Sequence, residues 1–151
     1  MKTKFFFICT IVAFVCAISG VSAEESKLKD GTYKATFDKA DSHGWKPFLE
    51  LVIKGHKIVS ANYDYVNAKD GKLKTKDAAY NAAMKKAKGT SPEEYTKKLD
   101  AELVSKQSAN LDGVTGATTS SKLMKLLSAE LLKRAAAGDA KEAVLPLPPE
   151  N

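Results

Sequence analysis

One stretch of ten residues, Asp112 to Ser121, contains the side chains best suited to chemistry. It combines an acidic residue, two glycines, an alanine and four consecutive hydroxyl residues, Thr118 to Ser121. Small residues let another molecule approach the backbone closely. A strongly helical run, Lys122 to Leu127, follows at once. The start of a helix presents free N–H groups and a partial positive charge, which suit a phosphate.

Two interpretations of this stretch compete. In the first it is a flexible loop in which a Ser or Thr caps the next helix. In the second it resembles the flavinylation motif of the FMN-binding domain family. That family includes an extracytoplasmic subunit of the sodium-pumping NADH:quinone reductase and small exported flavoproteins. The residues that fill the family pattern without a gap are Asp112, Thr115, Gly116, Ala117, Thr118, the variable Thr119, and Ser120.

The resemblance implies covalent FMN. In the family, a flavin transferase joins FMN through a phosphoester to the last hydroxyl of the pattern, which here belongs to Ser120. Ser stands where Thr is more familiar, and Thr118 is the main rival because it directly follows Gly-Ala. Gly116 and Ala117 would leave room for the phosphate and the transferase. Asp112 either belongs to the recognition motif or orders the turn through an Asx interaction.

The first 23 residues indicate an export signal. Lys2 and Lys4 precede an apolar stretch, Phe5 to Ile18, and Val21-Ser22-Ala23 supplies small residues at the cleavage positions. The apolar stretch is short for a membrane-spanning helix, which needs about 20 residues. Retention as an uncleaved anchor is the alternative to cleavage after Ala23.

Both cysteines, Cys9 and Cys16, lie inside this signal, so the mature chain would contain none. Disulfides and Cys-based metal or haem sites are then excluded from it. Lipid attachment at Cys16 is a further alternative, but the preceding Val15 is bulky where a lipidation site takes a small residue. Cleavage after Ala23 is therefore the preferred prediction.

Removal of the signal leaves 128 residues, enough for one domain with one core. The signal contains two lysines and no acidic residue, so the net charge falls from +6 to +4. This excess is spread along the chain without a compact basic and aromatic cluster. The sequence therefore predicts no nucleic-acid partner.

The hydrophobic period changes from about two to about 3.6 after Gly71, which predicts strands first and helices later. Alternating residues predict three antiparallel strands, the first of them half-buried with Tyr33, Ala35 and Phe37 on one face. In the second, Leu49, Leu51 and Ile53 share one face while Phe48 and Val52 share the other, and the third places Val59, Ala61, Tyr63 and Tyr65 on one side. This order predicts an α+β fold with a small antiparallel sheet and packed helices.

Three helices are expected after the strands. The first covers Asp77 to Lys88 and ends at Gly89. The second starts with the capping box Ser91-Pro92-Glu93-Glu94 and has one apolar stripe, Tyr95, Leu99 and Leu103. The third runs from about Ser121 to Ala137 and is expected to bury Leu123, Leu127 and Leu131. The predicted organisation is a signal at 1–23, a tether at 24–29, an FMN-binding domain at 30–137 and an extended Pro-rich tail at 138–151.

The remaining conspicuous residues favour structural roles. Trp45 is interpreted as a core residue, although it could stack on a flavin. Tyr63 and Tyr65 are expected to pack in the core. His43 and His56 are far apart and lack a ligand spacing, so turn roles are favoured and no metal site is predicted.

The predicted function is that of an exported flavoprotein whose covalent FMN carries electrons between membrane and extracytoplasmic redox partners. The alternative is a cofactor-free extracytoplasmic binding module in which the hydroxyl run is only a helix cap. A less favoured third hypothesis is an oxidoreductase with its own small substrate. No catalytic residue is predicted, and maturation by a flavin transferase is expected.

Overall fold

The computed structural model describes residues 27–149. The predicted signal and the first half of the predicted tether lie outside the described residues. Within them, three strands are followed by a short 3₁₀ helix, three α-helices and a short fourth strand. This single α+β domain confirms the predicted fold class.

Three strands form an antiparallel meander: β1 (Gly31–Phe37), β2 (Trp45–Lys54) and β3 (Lys57–Asn67). Alternate side chains are buried, as expected for a sheet with one face on the core. The predicted face of β1 is buried, at Tyr33, Ala35 and Phe37, and of the two faces of β2 the one with Leu49, Leu51 and Ile53 is buried.

The inward face of β3 differs at its start from the prediction. Ile58 is buried, whereas Val59 is 49% exposed. Val52 pairs with Ser60 and Ile53 pairs with Ile58, so the register contains a β-bulge at Val59. One extra residue in a strand reverses the side on which its neighbours point. The predicted placement of Val59 with Tyr63 and Tyr65 is therefore wrong.

A fourth strand, β4 (Ala143–Leu145), pairs in parallel with β1 and gives a mixed sheet of order β3-β2-β1-β4. The Asp38 backbone N–H donates to the Leu145 carbonyl at 2.8 Å, and the Leu147 N–H donates to the Asp38 carboxylate at 2.9 Å. Part of the tail predicted from the sequence is thus joined to the sheet.

A 3₁₀ helix (Lys74–Lys76) leads into α1 (Ala78–Lys88), α2 (Pro92–Lys106) and α3 (Thr118–Ala137). Helix α2 lies against β3, and α3 lies against β1 and β2. Their predicted apolar stripes are confirmed by the burial of Tyr95, Leu99, Leu103, Leu123, Leu127 and Leu131. Helix α1 buries no residue fully and packs on the core through Tyr80 and Met84.

The observed ends of α1 agree with the sequence-based prediction better than the observed start of α2 does. Gly89 ends α1 with a φ of 74°, as predicted, and the Asp77 carboxylate accepts from the Tyr80 N–H at its start. Ser91 is the N-cap residue of α2 and Pro92 its first residue, but the Ser91 hydroxyl makes no capping hydrogen bond. The hydroxyl half of the predicted capping box is therefore wrong.

Candidate functional site

The ten-residue stretch divides into a loop and the first turn of a helix. Residues 112–117, the motif loop, connect α2 to α3, and residues 118–121 belong to α3. Leu111, immediately before the loop, is 1% exposed, and Ala117 at its end is 4% exposed. Both ends of the loop are thus anchored in the hydrophobic core.

Asp112 is held by charge at the outer edge of the loop. Its carboxylate pairs with the Lys106 ammonium at 2.8 Å, and its backbone N–H donates to the Glu102 carboxylate. Lys106 pairs with Glu102 as well, at 2.8 Å. The Lys106 ammonium holds the pKa of the Asp112 carboxyl below its usual value. Asp112 therefore carries a negative charge on the surface beside the loop.

The two glycines of the loop are required by its shape. Gly113 and Gly116 have φ values of 96° and 82°, which L side chains rarely adopt. A Cβ on Gly116 would lie 2.4 Å from the Lys88 carbonyl oxygen, and one on Gly113 would lie 3.2 Å from the Ser121 Cβ. The loop therefore lies directly against the end of α1 and the start of α3.

Ser121 fastens the loop to the helix. Its side chain is buried, and its hydroxyl accepts from the Val114 N–H at 3.0 Å and donates to the Ala117 carbonyl at 2.9 Å. The predicted start of α3 was near Ser121, but the helix begins at Thr118, with Ala117 as its N-cap residue. Ser121 therefore lies inside the helix and does not cap it; its hydroxyl joins the helix to the motif loop.

The N-terminus of α3 has no side-chain cap. The first helical bond of the described backbone joins the Ser121 N–H to the Ala117 carbonyl. The N–H groups of Thr118, Thr119 and Ser120 have no partner among the hydrogen bonds of residues 27–149. The expected capping by a hydroxyl side chain is wrong, and the helix end is open to an anion.

The four hydroxyl residues differ in their environment. Thr118 and Thr119 are exposed, Ser120 is half-buried and Ser121 is buried. The Ser120 carbonyl accepts from the Tyr63 hydroxyl at 2.9 Å. The nearby Ser120 hydroxyl lowers the pKa values of Tyr65 and Tyr95 and so opposes the effect of burial on both. The Ser120 side chain therefore faces inward.

Three tyrosines, Tyr63, Tyr65 and Tyr95, form a buried tyrosine cluster under the first turn of α3. The hydroxyls of Tyr63 and Tyr65 are 2.7 Å apart. Burial raises the pKa of Tyr65 to about 12 and raises the pKa values of Tyr63 and Tyr95 as well. The cluster is neutral at physiological pH. The predicted packing role of Tyr63 and Tyr65 is confirmed, while the sequence did not indicate their contact with Ser120.

A cleft of about 450 Å³ opens beside the motif loop. It is lined by the junction of α1 and α2, by one face of α2 and by the motif loop, which contribute Lys88, Gly89, Thr90, Lys98, Glu102, Gly113, Val114 and Thr115. The cleft was not predicted from the sequence, because its walls come from segments that are far apart in the chain.

Trp45 lies in the core. It is 4% exposed and packs edge-on against Tyr80, with ring centroids 5.9 Å apart. The Lys74 ammonium lies 5.5 Å from its ring centroid and 4.4 Å from that of Tyr65. The core interpretation of Trp45 is confirmed.

The two histidines lie in separate turns. His56 has a φ of 64° in the β2–β3 turn, and its Nδ1 lies 2.8 Å from the Leu28 carbonyl oxygen. His43 is in the exposed β1–β2 loop. Residues 27–149 contain no group of three His, Cys, Asp or Glu side chains that could hold a metal ion. In the same range, no helix has the length and apolar character needed to span a membrane.

No family model matches the chain, but the chain is similar to known proteins. It is 40% identical over 121 residues to the 15 kDa lipoprotein of Treponema pallidum (strain Nichols), covering 80% of this chain and 84% of that protein. It is also similar to the crystal structure of the CPE2226 protein from Clostridium perfringens, with a TM-score of 0.78 and 37% identity, covering 80% of this chain and 99% of that one. The name of the first relative supports an exported protein.

Proposed function

Because the chain belongs to the family of the 15 kDa lipoprotein of Treponema pallidum, we propose that it acts outside the cytoplasm, and that it does so as a carrier of covalently attached FMN. In this proposal a flavin transferase loads the cofactor during maturation. The loaded protein then passes electrons between membrane and extracytoplasmic redox proteins. It acts as an electron carrier and not as an enzyme with its own substrate.

The observation that carries the proposal is the flavinylation-like motif at the open N-terminus of α3. The residues present fit a phosphoester. Thr118 offers an exposed hydroxyl, and α3 has no side-chain cap over its first N–H groups. A phosphate bound there would replace the missing cap and meet the positive end of the helix dipole.

The geometry and the motif register support different acceptors. The register selects Ser120, whose side chain faces the tyrosine cluster and whose carbonyl is held by Tyr63. Thr118 is exposed at the first position of α3. A transferase must bring a bulky flavin nucleotide to the hydroxyl without unfolding the helix. We therefore propose Thr118 as the acceptor and retain Ser120 as its rival.

Covalent attachment resolves an affinity problem. A helix N-terminus contributes about 0.3–1 kcal/mol to binding a charge at an exposed site. A micromolar ligand requires about 8 kcal/mol. A phosphoester removes that requirement, so the ring can stay exposed enough to meet redox partners. When bound, the flavin supplies the electron-transfer chemistry, and the chain supplies its position and electrostatic environment.

The mature N-terminus is part of the proposal. The relative is a lipoprotein by name, and Cys16 is the thiol in this chain that a lipid would use. The residues before Cys16 are Ala13-Phe14-Val15, whereas Val21-Ser22-Ala23 matches a signal-cleavage site. We therefore propose an exported chain that begins at Glu24 and is located in the periplasm or at the cell surface.

The test is attachment in cells that also express a flavin transferase. Denatured wild-type protein should show in-gel flavin fluorescence. Thr118→Ala should lose it, while Ser120→Ala and the control Thr119→Ala should keep it, and peptide mass mapping should place the flavin on Thr118. Loss in Ser120→Ala alone would return the assignment to the motif register. Wild-type protein without flavin would contradict the proposal and favour a cofactor-free binding module.

A further inference from the structure

The cleft beside the motif loop has two lysines that form no ion pair among the described residues. Lys88, at the end of α1, and Lys98, on α2, both line it. Neither is among the ion pairs of residues 27–149, whereas their neighbours Lys85 and Lys97 pair with Glu94 and Glu93 at 2.7 and 2.9 Å.

The acid in the cleft does not balance these lysines. Glu102 is the carboxylate among the residues that line it. It already pairs with Lys106 at 2.8 Å and accepts from the Asp112 N–H. The cleft therefore presents a net positive charge next to Gly113 and Thr115.

Thr90 gives a second, independent indication of a ligand. It lines the cleft and is 3% exposed, and its Oγ1 atom is buried with no hydrogen-bond partner in the described part of the chain. Buried hydroxyls almost always have a partner, because an unsatisfied one costs about 1–3 kcal/mol. Its methyl group lies 3.2 Å from the position of a Gly116 Cβ.

We propose that this cleft receives the isoalloxazine ring of the attached FMN, with the Thr90 hydroxyl bonded to a polar edge of the ring and Lys88 and Lys98 beside it as stabilising cations. The inference rests on the proposed function and adds the ring's location. Thr115, in the cleft wall, is three residues from Thr118, a distance of at most about 11 Å along the chain. An extended ribityl phosphate is long enough to cover it.

The lysines would act on the ring's charge. Two electrons from a protein redox partner and one proton from water leave the reduced ring with one negative charge. Cations near the ring stabilise that charge and raise the midpoint potential. The same location leaves one side of the ring open, since the cleft is open to solvent, and a redox partner could approach there.

Matched variants of the flavin-loaded protein test this location. Lys88→Gln/Lys98→Gln removes the two cleft charges, and Lys86→Gln/Lys97→Gln removes two charges from the same helices outside the cleft lining. The cleft pair should shift the midpoint potential to a more negative value than the control pair does. Lys98→Trp should quench the flavin fluorescence by contact with the ring, and Lys97→Trp should not.

A separate variant addresses the unpaired hydroxyl. Thr90→Val should leave the stability of flavin-free protein unchanged or improve it, because no hydrogen bond is lost. In loaded protein it should shift the flavin absorption bands. Equal potentials for the two charge pairs, together with equal fluorescence for the two Trp variants, would overturn the ring's location while the covalent flavin remained. Absence of covalent flavin from the wild type would instead overturn the proposed function.

Discussion

Asp100 is a carboxylic acid in a position that disfavours its charge. It lies on α2, where its Oδ1 atom accepts from the Tyr63 N–H at 3.0 Å. Burial raises its pKa to about 7, and the nearby Asp64 adds to the increase. The folded protein therefore holds this proton more tightly than the unfolded chain does. Stability contributed at this residue is present below the unfolded pKa, near 3.8, and is lost as the pH rises toward 7.

Asp100→Asn should remove this loss. The Asn side-chain oxygen can still accept from the Tyr63 N–H, but it carries no charge. We expect the variant to unfold at higher urea than the wild type at pH 8, by about 1–2 kcal/mol, and to differ little at pH 4. Asp77→Asn is the control. Hydrogen bonds from Tyr80 and Lys72 lower the Asp77 pKa, so it should show no gain at pH 8. An equal gain at both pH values would contradict the account.

The hydroxyl run shows what the sequence could and could not predict at this scale. Ser120 and Ser121 are adjacent identical residues, yet Ser120 is half-buried and accepts from Tyr63 through its backbone carbonyl, whereas the buried Ser121 accepts from the Val114 N–H through its hydroxyl. The motif could be identified from its residues. The environment of each hydroxyl could not be predicted, because the predicted helix began near Ser121 whereas α3 begins at Thr118. All four hydroxyl residues are therefore helical, and successive side chains of a helix point in different directions.

Among the elements, the contact between the motif loop and the end of α1 depends on Gly116. Gly116→Ala should place a methyl group against the Lys88 carbonyl and force a φ of 82° on an L residue. The unfavourable positive φ, the backbone term, should lower the free energy of unfolding by about 1–2 kcal/mol. The steric clash of the methyl group with the carbonyl should lower it by about 1–3 kcal/mol more.

A matched glycine separates the two terms. Gly71 has a φ of 73° and nothing within 4 Å of an added Cβ. Gly71→Ala should therefore show the backbone term alone. Urea unfolding of both variants measures the difference. Equal losses would mean that the loop does not pack against α1 as described.

The meander and the helices were predictable because their periods are local properties of the sequence. The β-bulge at Val59 was not, since strict alternation assigns Val59 to the core face that Ile58 occupies. The strand β4 was also missed. A three-residue strand followed by Pro-rich sequence has no period of its own, and its pairing depends on Asp38, more than 100 residues earlier.

At the scale of the whole molecule, α3 separates the N-terminal segment from the motif. The Lys29 backbone N–H and ammonium donate to the carbonyls of Ala135 and Ala137 at its C-terminal end. The motif lies at its N-terminal end. A helix of 20 residues is about 30 Å long. A protein held at a membrane by its N-terminus would therefore present the motif about 30 Å from the docked segment.

The N-terminus itself can be measured. Mass spectrometry of the native protein should give a first residue of Glu24 and no attached lipid. The physical reason is the small-residue cleavage pattern at Val21 to Ala23 and the bulky Val15 before Cys16. A Cys16→Ala variant should be exported like the wild type. A native chain that begins with a lipid-modified Cys16 would contradict this prediction while leaving the flavin proposal intact.

The measurement that bears most directly on the central claim is the intact mass of denatured protein produced with and without a flavin transferase. With the transferase, the mass should exceed that of the polypeptide by one FMN less one water. Without it, the mass should equal that of the polypeptide. The Thr118→Ala/Ser120→Ala double variant should stay at the polypeptide mass in both cases. An unmodified wild-type chain in the presence of an active transferase would contradict the account.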